Sequence, residues 1–124
     1  MYSLSEEEFA EVVAEVIGSL PKDFRDRIDN VEVMVVDYPS RAMMRRVPRG
    51  RMLLGLYQGV PHKHRGAWYG MRPVMPDTIT LFKKNIESIC SSREAVYHRI
   101  RKTLLHEIGH HFSLSDKDLR GIGW

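Results

Sequence analysis

His106, Glu107 and His110 stand in the run His106-Glu107-Ile108-Gly109-His110. A helix turns about 100° per residue, so histidines four apart stand about 40° apart on one face, one turn above each other. Two imidazoles placed in this way reach a single metal ion. The carboxylate of Glu107 lies within one turn of both, where it can take a proton from a water activated by that ion. The spacing therefore supplies two ligands and a base for metal-assisted hydrolysis.

The upstream residues predict the helix that this chemistry needs. Ser91 followed by Glu94 has the form of a capping box. Val96, Ile100, Leu104 and Ile108 then recur every fourth residue, with Tyr97, Leu105 and Phe112 widening the stripe. On a helical wheel His106 and His110 fall at the edge of the apolar arc, beside Thr103. One side of the helix is expected to enter a core while the neighbouring side faces a cleft.

A catalytic zinc commonly has three protein ligands and an open position. Six residues after His110 stands Asp116, in the run His110-His111-Phe112-Ser113-Leu114-Ser115-Asp116. This spacing resembles the extended H-E-x-x-H-x-x-G-x-x-H/D motif of the metzincin branch of zinc peptidases. The resemblance implies that Asp116 is the third ligand, with the chain folding back after the helix. Ser113 stands where that pattern has glycine, and serine takes a positive φ only at a cost. Asp118 is the alternative third ligand. The competing reading of both aspartates is a helix first turn capped by Ser115.

Three blocks extend the likeness over nearly the whole chain. They are Leu54-Gly55-Leu56-Tyr57-Gln58-Gly59-Val60-Pro61, Pro76-Asp77-Thr78-Ile79-Thr80-Leu81-Phe82, and Leu105 through Phe112 leading into Leu114-Ser115-Asp116-Lys117-Asp118-Leu119. In this order the chain resembles the small bacterial minimal zincin-like family. The resemblance implies a single α+β domain over residues 1–124, with a small mixed sheet of about three to four strands. It implies an N-terminal helix and a C-terminal helix that bears Zn2+. It also implies a cleft bordered by an edge strand that pairs with extended substrate, for which Thr78-Ile79-Thr80-Leu81-Phe82 is the candidate, an internal strand being the alternative that the sequence leaves open.

The remaining elements follow from local signals. Ser5 and Glu8 form a capping box before a helix of about 14 residues with a stripe of Phe9, Val12, Val13, Val16 and Ile17, ended by Pro21. Phe24 and Ile28 suggest a further helical turn. Val31-Glu32-Val33-Met34-Val35-Val36 reads as a strand, as do residues 52–57 and 78–82. Basic, irregular sequence is expected after Pro39, and a Gly/Pro/aromatic loop before Pro76. Helix, strands and helix in segregated order also argue for an α+β domain.

Composition limits the function classes. At 124 residues and 43% hydrophobic, the chain is long enough to bury one core. The single cysteine, Cys90, excludes an internal disulfide and suits a reducing compartment. The first residues are acidic and amphipathic, unlike a signal peptide, and no apolar stretch approaches about 18 residues. A cytoplasmic location without membrane association is the expectation.

The net charge of +3 conceals an uneven distribution. Residues 1–37 carry ten acidic and three basic side chains, whereas residues 38–76 carry eight basic ones and no acidic one. A basic segment attracts acidic peptide or nucleic acid, or simply stays solvated. It matches no nucleic-acid-binding motif, so nucleic acid is not the expected partner.

Other side chains have plain readings. His111 lies about 100° further round the helix than His110 and is expected to pack or to support a ligand. His62 and His64 are expected in solvent, His98 on the surface and Cys90 in the core. Tyr57, Tyr69, His62 or a nearby arginine are the candidates to stabilise an oxyanion. The reading is a zinc-dependent metallopeptidase acting on peptide or protein, with His106, His110 and Asp116 on the metal and Glu107 as general base. The alternative is a non-catalytic metal-binding or adaptor domain that uses the basic segment for a partner. Substrate preference and oligomeric state have no signature in the sequence.

Overall fold

The computed structural model describes residues 2–45, 47–59 and 77–111, with backbone alone at 110 and 111. The chain begins with helix α1 (Glu6–Ser19), followed by helix α2 (Lys22–Ile28), strand β1 (Val31–Val36) and helix α3 (Arg41–Met44). Strands β2 (Gly55–Gln58) and β3 (Asp77–Phe82) come next, then helices α4 (Lys83–Ser88) and α5 (Arg93–His111). This is the expected small α+β architecture, with a helix near each end of the described chain and a mixed sheet between them.

Helix α1 forms where its cap and stripe predict. The Glu8 N–H donates to Ser5 Oγ at 3.1 Å and the Ser5 N–H donates to Glu8 Oε1 at 3.2 Å, completing the box. These bonds hold the Glu8 carboxyl below the usual carboxylate range, first through the Ser5 backbone and then through its hydroxyl. A lowered folded pKa stabilises above the unfolded value, and that contribution is lost as pH falls through the folded one. Phe9, Val12, Val13 and Val16 are buried, and Ile17 packs on them from the margin. Leu20 caps the helix before Pro21 opens α2, whose Phe24 and Ile28 also enter the core. Replacing Ser5 by alanine is expected to cost about 1 kcal/mol, read as a lowered urea midpoint with an unchanged slope.

The described strands form one sheet in the order β1-β3-β2, β1 parallel and β2 antiparallel to β3. This corrects the edge assignment for Thr78-Ile79-Thr80-Leu81-Phe82. β3 is hydrogen-bonded on both sides and is the central strand. Ile79 and Leu81 enter the core on one face, while Thr80, 3% exposed, and Phe82 are buried on the other. A Thr-Ile-Thr-Leu alternation looks like a strand with one wet face; here both faces are covered. β2 is shorter than the expected strand over residues 52–57, and it borders the sheet on the side of α5.

Two short helices carried no clear signal in the sequence. α3 is a single turn within the basic segment, where the Met43 N–H donates to Ser40 Oγ at 3.2 Å. α4 follows β3 directly and holds a buried ion pair, Lys83 Nζ to Glu87 Oε2 at 3.1 Å. No described helix is long and apolar enough to cross a membrane.

Candidate metal centre

Helix α5 carries the H-E-x-x-H run and owes its position to its apolar face. Val96, Ile100, Leu104, Leu105 and Ile108 are fully buried. Its cap is Ser92, one residue later than the expected Ser91: Ser92 Oγ accepts from the Ala95 N–H at 3.0 Å. With the helix starting at Arg93, Glu94 falls too early to complete a capping box. A salt bridge from Arg93 to Glu15 at 2.9 Å links the first turn to α1. The helix then continues unbroken through His111.

Thr103 lies at the border between the core face and the histidine face. Its Oγ1 donates to the Arg99 carbonyl at 2.8 Å, which fixes the rotamer. The γ-methyl then points at Gly55 of β2, where an added Cβ would come within 2.6 Å of it. Only glycine allows so close an approach of strand and helix. His106 and Glu107 follow Thr103 by three and four residues, so the contact that seats Thr103 also seats them.

We expect Gly55→Ala to destabilise the protein by about 1–3 kcal/mol through overpacking. Adding Thr103→Ser removes the clashing methyl and should return much of that loss. Urea denaturation of the two single variants and the double variant measures the coupling; additive effects would show that the contact does not position α5.

His106 and Glu107 are both partly buried, as their place at the edge of the apolar arc predicts. The Nε2 of His106 is shielded from solvent, and both side chains engage in interactions. The backbone of His110 stands one turn beyond His106 on the same helix. The His110 and His111 side chains, Phe112, Asp116 and Asp118 lie outside the described residues, as do His62, His64 and Tyr69. Among the described residues alone, no group of three or more His, Cys, Asp or Glu side chains is arranged to hold a metal ion.

Other candidates have settled positions. The Tyr57 hydroxyl donates to Asp77 Oδ2 at 2.7 Å, joining β2 to the start of β3. That bond occupies the proton an oxyanion would require. His98 is an exposed surface residue, 3.7 Å from Glu94. Cys90 is buried, and desolvation pushes its thiol pKa up, as suits an inert core residue. Gly55 is the residue whose role the sequence reading misses. A glycine inside a strand is the available sign of close approach.

A small α+β domain that mounts an H-E-x-x-H run on a core-anchored helix defines a zincin-type protein. The chain belongs to the zincin-like metallopeptidase family, whose model matches residues 28–124. Among solved structures it is similar to a conserved hypothetical protein from Thermo thermophilus, at 21% identity. The likeness covers 94% of this chain and 98% of that one, with a TM-score of 0.55, and concerns the fold alone. No curated protein matches the chain.

Proposed function

We propose that the protein is a zinc-dependent peptidase acting on short or flexible peptides. The observation that carries this reading is the unbroken helix α5, which presents His106, Glu107 and the His110 backbone on one side of a core-anchored cylinder. The family membership supports it. The residues fit the metal: two imidazoles and a carboxylate form a donor set suited to a borderline cation. His106, His110 and Asp116 would hold the ion. Bound there, zinc would lower the pKa of a water to about 7 and polarise a carbonyl.

The rest of the chemistry belongs to the chain. Glu107 takes a proton from the attacking water as its oxygen bonds to the peptide carbon. The same carboxyl group then passes that proton to the amine nitrogen as the C–N bond breaks. β2, the strand packed beside α5, is the candidate to align extended substrate by backbone pairing.

Equilibrium dialysis against zinc tests the metal, and a peptide library tests the reaction. The parent is expected to retain about one zinc per chain and His106→Ala to lose it. A zinc-loaded parent that leaves every library peptide intact would refute the peptidase reading. A second reading, a metal-binding adaptor, is favoured by the exposure of Arg41, Arg45, Arg49 and Arg51.

A further inference from the structure

β1 is a terminal strand of the described sheet, and its surface is unusual. Met34, Val35 and Val36 are 43%, 38% and 36% exposed, and Tyr38 just beyond them is 62% exposed. Successive residues of a strand point to opposite faces. A helix or loop laid on one face would account for alternate residues, not for three in a row. Apolar exposure on both faces instead marks a strand edge suited to another strand.

The charge beside that edge is of one sign. Arg41, Arg45, Arg49 and Arg51 follow the strand, all exposed, and no described ion pair engages them. Between Asp37 and Asp77 the sequence contains no acidic residue.

We propose that the outer edge of β1 is a docking strand for an extended acidic and apolar peptide segment of a partner protein. Main-chain hydrogen bonds would continue the sheet, with apolar side chains of the peptide meeting Met34 and Val36 on one face and Val35 on the other. Its carboxylates would meet the arginines. A second copy of this chain fits less well. A six-residue strand pair alone falls short of the roughly 1,200 Å² of a stable interface. β1 lies two strand spacings, about 10 Å, from β2. The docking edge is therefore separate from the candidate metal centre and does not depend on the peptidase reading.

The test is fluorescence anisotropy with a labelled peptide in which a run of valines is flanked by glutamates, long enough to span the strand, in the presence of chelator. A valine–lysine peptide serves as control. We expect saturable binding of the glutamate peptide alone. Met34→Thr with Val36→Thr should weaken it about tenfold or more, and Arg41→Gln with Arg45→Gln should weaken it and flatten its salt dependence. Circular dichroism verifies that these surface variants fold. Equal binding of the lysine peptide, absence of binding, or indifference to both pairs of substitutions would overturn the proposal. A reversible dimer abolished by Met34→Thr with Val36→Thr would also overturn it, assigning the edge to a second copy.

Discussion

Glutamine in place of Glu107 is expected to lower peptide hydrolysis by about 10²–10⁴-fold while zinc content and melting temperature stay close to those of the parent. Glutamine preserves the size and most of the hydrogen-bonding capacity of the side chain, so the fold around it is expected to be kept. It cannot accept the proton released by the attacking water. The loss corresponds to about 3–5 kcal/mol of barrier and should fall on kcat rather than KM, because the proton moves only in the transition state. Steady-state kinetics on a cleaved library peptide, beside metal analysis, separates the outcomes. An unchanged kcat would remove Glu107 from the mechanism; a joint loss of zinc and rate would mean that it supports the site instead of acting as base.

The largest stability effect is expected at Glu87, far from that chemistry. Glu87 is 1% exposed; its Oε2 accepts from the Leu4 N–H at 2.8 Å and meets Lys83 Nζ at 3.1 Å. Lys84 Nζ approaches Oε1 at 3.8 Å. Lys83 is itself buried, with its ammonium 5.9 Å from the centre of the Phe9 ring. The Tyr2 N–H also donates to the Cys90 carbonyl at 3.1 Å, so the segment before α1 is tied to α4 and the residues that follow it. Glu87→Ala leaves a buried ammonium without its carboxylate and a buried N–H without its acceptor. The expected cost is about 3–5 kcal/mol. Replacing the pair together, Lys83→Met with Glu87→Leu, should cost far less, because no charge is then stranded; the Leu4 N–H would remain the main penalty. Urea unfolding of the single and double variants measures this, and equal losses in both would show that the ion pair is not the source.

Local signals are legible where one segment determines its own structure. The Ser5–Glu8 box and the spacing of Phe9, Val12, Val13 and Val16 define α1 because capping bonds and an apolar stripe depend on neighbours within a few residues. The same holds for the stripe Val96, Ile100, Leu104 and Ile108, which fixes the direction of His106 and Glu107 relative to the core. The cap of α5 falls one residue later than the sequence suggests because Ser91 and Ser92 are adjacent and only one can precede the first helical residue. The strands are visible in the sequence, but not their neighbours. Thr80 reads as a solvent-facing residue until both of its flanking strands and the covering on its far side are in place.

The sequence by itself determined the H-E-x-x-H spacing, its helix and the α+β class, since each rests on periodicity or spacing within a short stretch. The tertiary structure alone decided that β3 is central, that Gly55 admits Thr103 and α5 against β2, and that Glu87 reaches back to Leu4 across 83 residues. Those choices depend on pairing between distant segments. Their free energy comes from excluding water and matching shape across the chain, and no local periodicity records it.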